Sequence, residues 1–356
     1  MSPDLEPLEV VTGLAPMAGR FGWIVTDGHL GARAKTAGVA RALGLEFEHK
    51  EVSPRLQWGK RAPWVPAVEP WERFGRQGSA FSPPWPEVAI AAGRRTIPYL
   101  TALRRASEGA TFTVLLQHPR TSLDVAELIW CPTHDKVEAA NVISTLTTPH
   151  VMRPHQLAAL RQSPSHDIET LRRPLATVLL GGSNAAFKFD GAALKRLGDC
   201  LRALAEAGAS FLMTSSQRTT SALLRAATEA TRGAERIVWA NTGANPYWTF
   251  LALADLVIVT GDSVNMTSEA CVTGKPVYVF EPVGGTAKLT RFHSLLRDYG
   301  ATRPLTPHVD PAERWAYRPL DAAPIIAAEI ARRFRALQVR SAPEFSSASL
   351  VSRPRA

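Results

Sequence analysis

Leu175-Ala176-Thr177-Val178-Leu179-Leu180-Gly181-Gly182-Ser183 is the stretch on which the fold turns. A continuous apolar run of strand length, ended by small residues, reads as a buried strand that stops in a tight loop. Leu194, Leu197, Leu201 and Leu204 then recur at helical spacing, which completes one strand, loop and helix unit. The unit repeats downstream. Phe211-Leu212-Met213-Thr214 passes through Ser215-Ser216-Gln217-Arg218-Thr219 into an alanine- and leucine-rich helix near 220–231, and Arg236-Ile237-Val238-Trp239-Ala240 begins the next strand. Pro246 opens a short helix, Leu256-Val257-Ile258-Val259-Thr260 is a further buried strand, and Gly261-Asp262-Ser263 turns into a helix that Gly274 and Pro276 stop. Val277-Tyr278-Val279-Phe280 is expected to close the sheet. Strands alternating with helices in this way predict a parallel sheet with helices on its faces.

The first half starts in the same manner. Gly22-Trp23-Ile24-Val25-Thr26 reads as strand, Asp27-Gly28-His29-Leu30-Gly31 as loop, and a helix runs from about Ala32 to Leu43 before Gly44. Val88–Ala92, Thr113–Leu116 and Glu127–Trp130 are the next expected strands, and the Ala158-Ala159-Leu160 region the last helix of this half. The polar stretch Gln162-Ser163-Pro164-Ser165 suits a linker, so residues 1–165 and 166–321 are expected to form two Rossmann-like domains. Between Pro54 and Pro86 the alternation breaks, and Trp58, Trp64, Trp71 and Trp85 stand among prolines. This 54–86 insertion reads either as aromatic packing that fastens an irregular excursion or as a patch for an acceptor, a protein or a membrane surface.

A chain of 356 residues exceeds the size at which single cores stop growing, and its 45% hydrophobic and 21% charged residues are ordinary for a globular protein. Apolar runs are cut far short of the roughly 20 residues a bilayer span needs. The acidic, proline-broken start lacks the form of a secretory signal, which gives a cytoplasmic expectation. Cys131, Cys200 and Cys271 are scattered and suit buried thiols rather than zinc or disulfides. A formal charge of +9 predicts an anionic partner. No nucleic-acid-binding signature accompanies it, so nucleic acid is disfavoured. Ile326, Ile330, Phe334 and Leu337 form one stripe of an amphipathic helix, and residues 341–356 read as a basic tail that offers a second route to a membrane or protein surface.

In an open parallel sheet, ligands gather outside the carboxyl ends of the strands. Three loops at such ends carry small or hydrogen-bonding residues. Gly181, Gly182 and Ser183 offer backbone N–H groups to a phosphate. Ser215, Ser216, Gln217, Arg218 and Thr219 add hydroxyls and a guanidinium. Asp262, Ser263, Asn265, Met266 and Ser268 stand at a helix start, with Glu269 about a turn further in, where a carboxylate can grip a ribose diol. The same residue types cap helices, which is their plainer reading. No histidine cluster has metal-ligand spacing, so no metal site is expected.

At Asn245-Pro246-Tyr247, Leu251-Ala252-Leu253-Ala254-Asp255, Asp262-Ser263, Met266, Ser268-Glu269-Ala270 and Thr273-Gly274-Lys275-Pro276-Val277-Tyr278 the sequence resembles the mitochondrial-fission "elongated mitochondria" family. Thr26-Asp27-Gly28, Gln117-His118-Pro119 and His134-Asp135 fit it as well, and the resemblance spans roughly residues 20–335. That family is similar in fold to GT-B glycosyltransferases and nucleotide-sugar 2-epimerases. The resemblance therefore implies two Rossmann-like domains whose parallel sheets face a central cleft, a nucleotide-sugar site in the second, and a helix over 322–340 that packs back towards the first. It also implies a diphosphate-contacting turn at Ser263 and a ribose-binding Glu269, although Val264-Asn265 stands where the epimerase turn carries two glycines.

Asp27-Gly28-His29-Leu30-Gly31 occupies the place where lipid-precursor GT-B enzymes carry glycines and a histidine base, so His29 with Asp27 is the candidate catalytic pair. An exposed or anion-contacting histidine is the alternative. Two functional classes follow: a glycosyltransferase that uses a nucleoside diphosphate sugar as donor without a metal, and a non-catalytic adaptor on the same scaffold.

Overall fold

The computed structural model describes residues 15–54, 68–239 and 241–341. Trp58 and Trp64, and the tail beyond residue 341, lie outside the described residues.

The first sheet comprises β1 (Phe21–Thr26), β2 (Glu46–Glu51), β3 (Val88–Ala92), β4 (Phe112–Leu115), β5 (Leu128–Pro132) and β6 (Val142–Thr145). All pairings are parallel, in the order β2-β1-β3-β4-β5-β6. The helices α1 (Leu30–Leu43), α2 (Ile97–Ala106), α3 (Pro154–Arg161) and α4 (His166–Glu169) follow its strands. The second sheet comprises β7 (Leu175–Leu180), β9 (Ser210–Ser215), β10 (Arg236–Trp239), β11 (Leu256–Thr260), β12 (Val277–Phe280) and β14 (Thr302–Pro304), in the order β10-β9-β7-β11-β12-β14 and again all parallel. A two-stranded antiparallel ribbon, β8 (Phe187–Lys188) with β13 (Val283–Gly284), lies apart from it. The remaining helices are α5 (Gly191–Glu206), α6 (Ser221–Ala230), α7 (Tyr247–Leu253), α8 (Val264–Cys271), α9 (Ala287–Asp298) and α10 (Ala322–Ser341). The architecture is α/β, with two six-stranded parallel sheets flanked by helices.

The central strands are buried along their whole length save for Phe21 at the start of β1, as a parallel sheet covered on both faces requires. The strand order reverses between β1 and β3 in one sheet and between β7 and β11 in the other, and at such switch points the chain leaves a crevice. β12 does not close the second sheet: β14 adds to its edge, with Val277 in register with Thr302. Three residues with two exposed side chains give too little periodicity to announce a strand.

The helix anticipated around Ala158 exists as α3 but serves the other half. Leu157 is buried against Ala252 and Val272, and Arg161 Nε donates to the Ala252 carbonyl at 2.8 Å. At the other end of the chain, Ala323, Ile326, Ala327, Ile330 and Phe334 of α10 lie in the core of the first half with Ile24, Val39, Leu43 and Phe112. The Arg20 guanidinium sits 5.1 Å from the Phe334 ring centroid.

Within the described part of the insertion, Phe81 and Trp85 pack on Trp23, Phe74 packs on both of them, and Phe81 also meets Tyr99. Those residues fasten the excursion to the sheet. Trp71 remains 48% exposed. Among the described residues no helix is long and apolar enough to cross a membrane.

Candidate functional site

At the second sheet's switch point, the loops after β7 and β11 lock together. The fully buried Asp262 carboxylate accepts from the Gly182 N–H at 3.1 Å and pairs with Arg218 at 2.8 Å. Arg218 Nη1 also donates to the Gly182 carbonyl, and the Gly181 N–H donates to Thr260 Oγ1. A Cβ on Gly181 would fall 2.2 Å from Asp262 Oδ1, and one on Gly182 would fall 2.0 Å from the Arg218 carbonyl oxygen. The glycines thus admit a carboxylate and a neighbouring backbone. The N–H groups that the sequence offers to a phosphate are spent inside the protein, that of Gly182 on the buried carboxylate, which must collect donors, and that of Gly181 on the Thr260 hydroxyl. Ser183 is exposed and accepts from the Phe189 N–H, Ser216 and Thr219 bond each other, Thr219 also reaches the carbonyls of Leu180 and Gly181, and Ser215 donates towards Trp239. Gln217 is exposed.

The loop after β11 leads into α8, whose start Ser263 caps by accepting from the Met266 N–H. Met266 packs into the apolar core beneath. Ser268 and Asn265 face the first half: the Thr148 N–H donates to Ser268 Oγ at 3.0 Å, and Thr148 Oγ1 lies 3.3 Å from Asn265 Oδ1. Glu269, half-buried, accepts from the Tyr247 hydroxyl at 2.6 Å. Burial pushes its carboxyl up to about 7, against the Tyr247 hydrogen bond, which lowers it.

The two halves meet across a cleft of about 380 Å³ whose walls include Lys35, Arg94, His118 and Arg120 from the first half and Val264, Asn265 and Lys288 from the second. Three helices begin there. Asn265 lies in the first turn of α8, Lys288 is the second residue of α9, and a Cβ on Gly31, in the first turn of α1, would lie 2.9 Å from Asn265 Nδ2. Each helix start presents unsatisfied N–H groups and a partial positive charge. Lys288 pairs with Asp135 at 2.5 Å. Lys35 stands 5.8 Å over the Trp130 ring, and burial followed by repulsion from Lys288 depresses its ammonium. His134, also on the wall, is buried with Nδ1 unpaired among the described residues, and desolvation brings it down to about 4, so it is neutral near pH 7.

Asp27 stands at the first sheet's switch point, its carboxylate about 3.1 Å from where a Cβ on Gly93 would project. Gly93 adjoins Arg94, and its N–H donates to Gln117, which also lines the cleft. Asp27 Oδ2 is 3.8 Å from His29 Nε2, and the His29 side chain is 77% exposed. Asp27 Oδ1, like Asp262 Oδ1, is buried without a hydrogen-bond partner in the described structure. The candidate residues therefore divide. Asp262, Arg218 and the two glycines brace the second sheet, Asn265 and Ser268 join the halves, Glu269 and Tyr247 form a separate pair, and Asp27 with His29 borders the cleft. Sequence reasoning did not find the cations Lys35, Arg94, Arg120 and Lys288, which four separate segments deliver.

A family model described as "Mitochondrial fission ELM1" matches residues 30–334. The chain is 31% identical over 275 residues to the mitochondrial fission protein ELM1 of Arabidopsis thaliana, covering 70% of this chain and 64% of that protein, so it spans just under two thirds of that relative's length. It is 23% identical over 277 residues to an uncharacterized protein of Rickettsia prowazekii (strain Madrid E), covering 68% of this chain and 78% of the other. Among solved structures it is similar to UDP-GlcNAc 2-epimerase from Methanocaldococcus jannaschii, with 10% identity, 90% and 99% of the two chains covered and a TM-score of 0.49. MurG of Acinetobacter baumannii gives 16%, 82% and 88%, and 0.47.

Proposed function

The chain belongs to the mitochondrial fission ELM1 family, and from that premise we propose that it binds a nucleotide sugar in the cleft between its two sheets and transfers the sugar to an acceptor. One observation carries the reading: the starts of α1, α8 and α9 open on a single cleft that Lys35, Arg94, Arg120 and Lys288 also line. Oriented N–H groups and fixed cations are what a diphosphate leaving group requires, since its charge grows as the glycosidic bond breaks.

In this reading the first turn of α8 contacts the diphosphate and Glu269, oriented by Tyr247, accepts from the ribose hydroxyls. Arg218 is committed to Asp262, so Lys288, in the first turn of α9, supplies the cation at the diphosphate. Asp27 orients His29, whose imidazole removes a proton from the acceptor hydroxyl. The cleft's volume lies at the small end of ligand pockets, which suits a site that grips phosphates and leaves the ends of its ligand towards solvent.

The test is a calorimetric and thermal-shift titration with UDP, GDP, ADP, dTDP and their sugars, with Glu269→Ala as control. Saturable binding of one nucleotide, weakened at least tenfold in the control, is the expected result. No binding at millimolar ligand would sink the proposal and leave a non-catalytic adaptor on this scaffold, for which the exposed Trp71 is a starting point.

A further inference from the structure

The cleft holds more positive charge than one nucleotide sugar can use. Lys35, Arg120 and Lys288 stand against the single carboxylate of Asp135 on its walls. Three helix starts add about half a charge each. A nucleoside diphosphate sugar brings about two negative charges, which leaves roughly one to two positive charges unmatched. Lys288, on the first turn of α9, already has Asp135. The surplus thus lies on the first-half wall.

That wall is also built. His118 Nδ1 accepts from the Arg120 N–H at 2.8 Å, which leaves Nε2 as the proton-bearing nitrogen of the neutral ring. The same contact holds Arg120 at φ 59°, a left-handed conformation that is unfavourable for a non-glycine residue and needs surrounding structure to persist. The Arg120 guanidinium has no ion-pair or hydrogen-bond partner among the described residues, nor does the Lys35 ammonium beyond its place over Trp130. The carboxylate nearest in charge to Lys35, Asp135, already pairs with Lys288, and burial together with Lys288 depresses the Lys35 ammonium against the pull of Asp135. An oxyanion beside the ammonium would reverse that shift.

We propose that Lys35, His118 and Arg120 form a second anion subsite, distinct from the nucleotide's diphosphate position, that takes a phosphate group of the molecule receiving the sugar. The description of this molecule as the acceptor rests on the transferase reading above; the phosphate subsite itself does not. Two donors on charged side chains and one imidazole N–H suit a terminal phosphate with several acceptor oxygens. The phosphate can belong to a small soluble ester or to an amphiphile whose chain leaves the cleft past Pro132 and Val264.

The experiment is a calorimetric titration of the whole chain with inorganic phosphate, alone and with the nucleotide identified above at saturation, repeated with Lys35→Met and Arg120→Gln. Thermal unfolding confirms that each variant folds, and Arg120 is exposed enough to be replaced without disturbing the core. Phosphate binding should weaken at least tenfold in both variants, persist with nucleotide bound, and leave nucleotide affinity within about twofold. Unchanged phosphate affinity in both variants overturns the proposal, and so does mutual exclusion of phosphate and nucleotide, which would assign these cations to the donor alone. Phosphate binding that depends on Lys35 in a protein that takes no nucleotide would sink the transferase reading and keep the subsite. Decyl phosphate below its micelle concentration separates the sources: tighter binding than inorganic phosphate assigns an amphiphile, and equal binding a soluble ester.

Discussion

The Tyr247 hydroxyl donates to Glu269 Oε2 at 2.6 Å, joining the first residue of α7 to the middle of α8. Burial raises the Glu269 carboxyl from its ordinary 4.5 to about 7. A folded state that holds this proton longer than the unfolded chain is favoured below pH 4.5 and loses that advantage as pH climbs to about 7. Wild type should therefore lose about 1–3 kcal/mol between pH 4.5 and 7.5 relative to Glu269→Gln, as read from denaturant unfolding across that range. Tyr247→Phe removes the hydrogen bond that favours the carboxylate and should move the midpoint higher still.

Gly181→Ala and Gly182→Ala should each destabilise the protein by about 1–3 kcal/mol. The added methyl groups would meet Asp262 and the Arg218 carbonyl well inside van der Waals distance. Denaturant midpoints check this. A Gly191→Ala control, where a Cβ meets nothing within 4 Å, should fall within about 0.5 kcal/mol of wild type.

Arg153 donates to Asp321 at 2.9 Å and to the Gly38 carbonyl at 2.9 Å, tying the start of α3 to α1 and to the residue before α10. Both partners of the ion pair are only 11% exposed. Arg153→Ala strands Asp321 and should cost about 2–4 kcal/mol, clearly more than Arg172→Ala at an exposed pair. Thermal unfolding of the two variants compares them directly.

His29→Ala should leave stability within about 0.5 kcal/mol, since the ring is exposed and caps no N–H. If His29 is the base, the same variant should lower turnover of the identified nucleotide sugar by 10²–10⁴-fold with nucleotide affinity retained. A fall in affinity with turnover intact would make it an anion contact instead.

Most of the architecture was legible because buried parallel strands such as Val88–Ala92 and Leu256–Thr260 are apolar throughout. The edge strand β2 was not. Its sequence Glu46-Phe47-Glu48-His49-Lys50-Glu51 is charged and largely exposed, and its backbone pairing with β1 supplies what its side chains do not announce. The short β6 lacked an apolar run for the same reason, as only Thr145 of its four residues is buried. The helix around Ala158 was legible as a helix, but which half it joins depends on where Leu157 finds Ala252 and Val272. In the cleft, the helix start at Ser263 was readable from local residue types. The cationic wall was not, because Lys35, Arg94, Arg120 and Lys288 carry no local pattern and become a group only when the sheets face each other.

The docking of α10 on the first half sets the order in which the protein can be made. Ile24, Val39, Leu43 and Phe112 share their core with Ile326, Ile330 and Phe334, which leave the ribosome only after the whole second sheet. During synthesis the amino-terminal half waits with an oily face uncovered, so its final folding step is the arrival of the last helix, and any pause or truncation before Phe334 leaves that face open to chaperones or to aggregation.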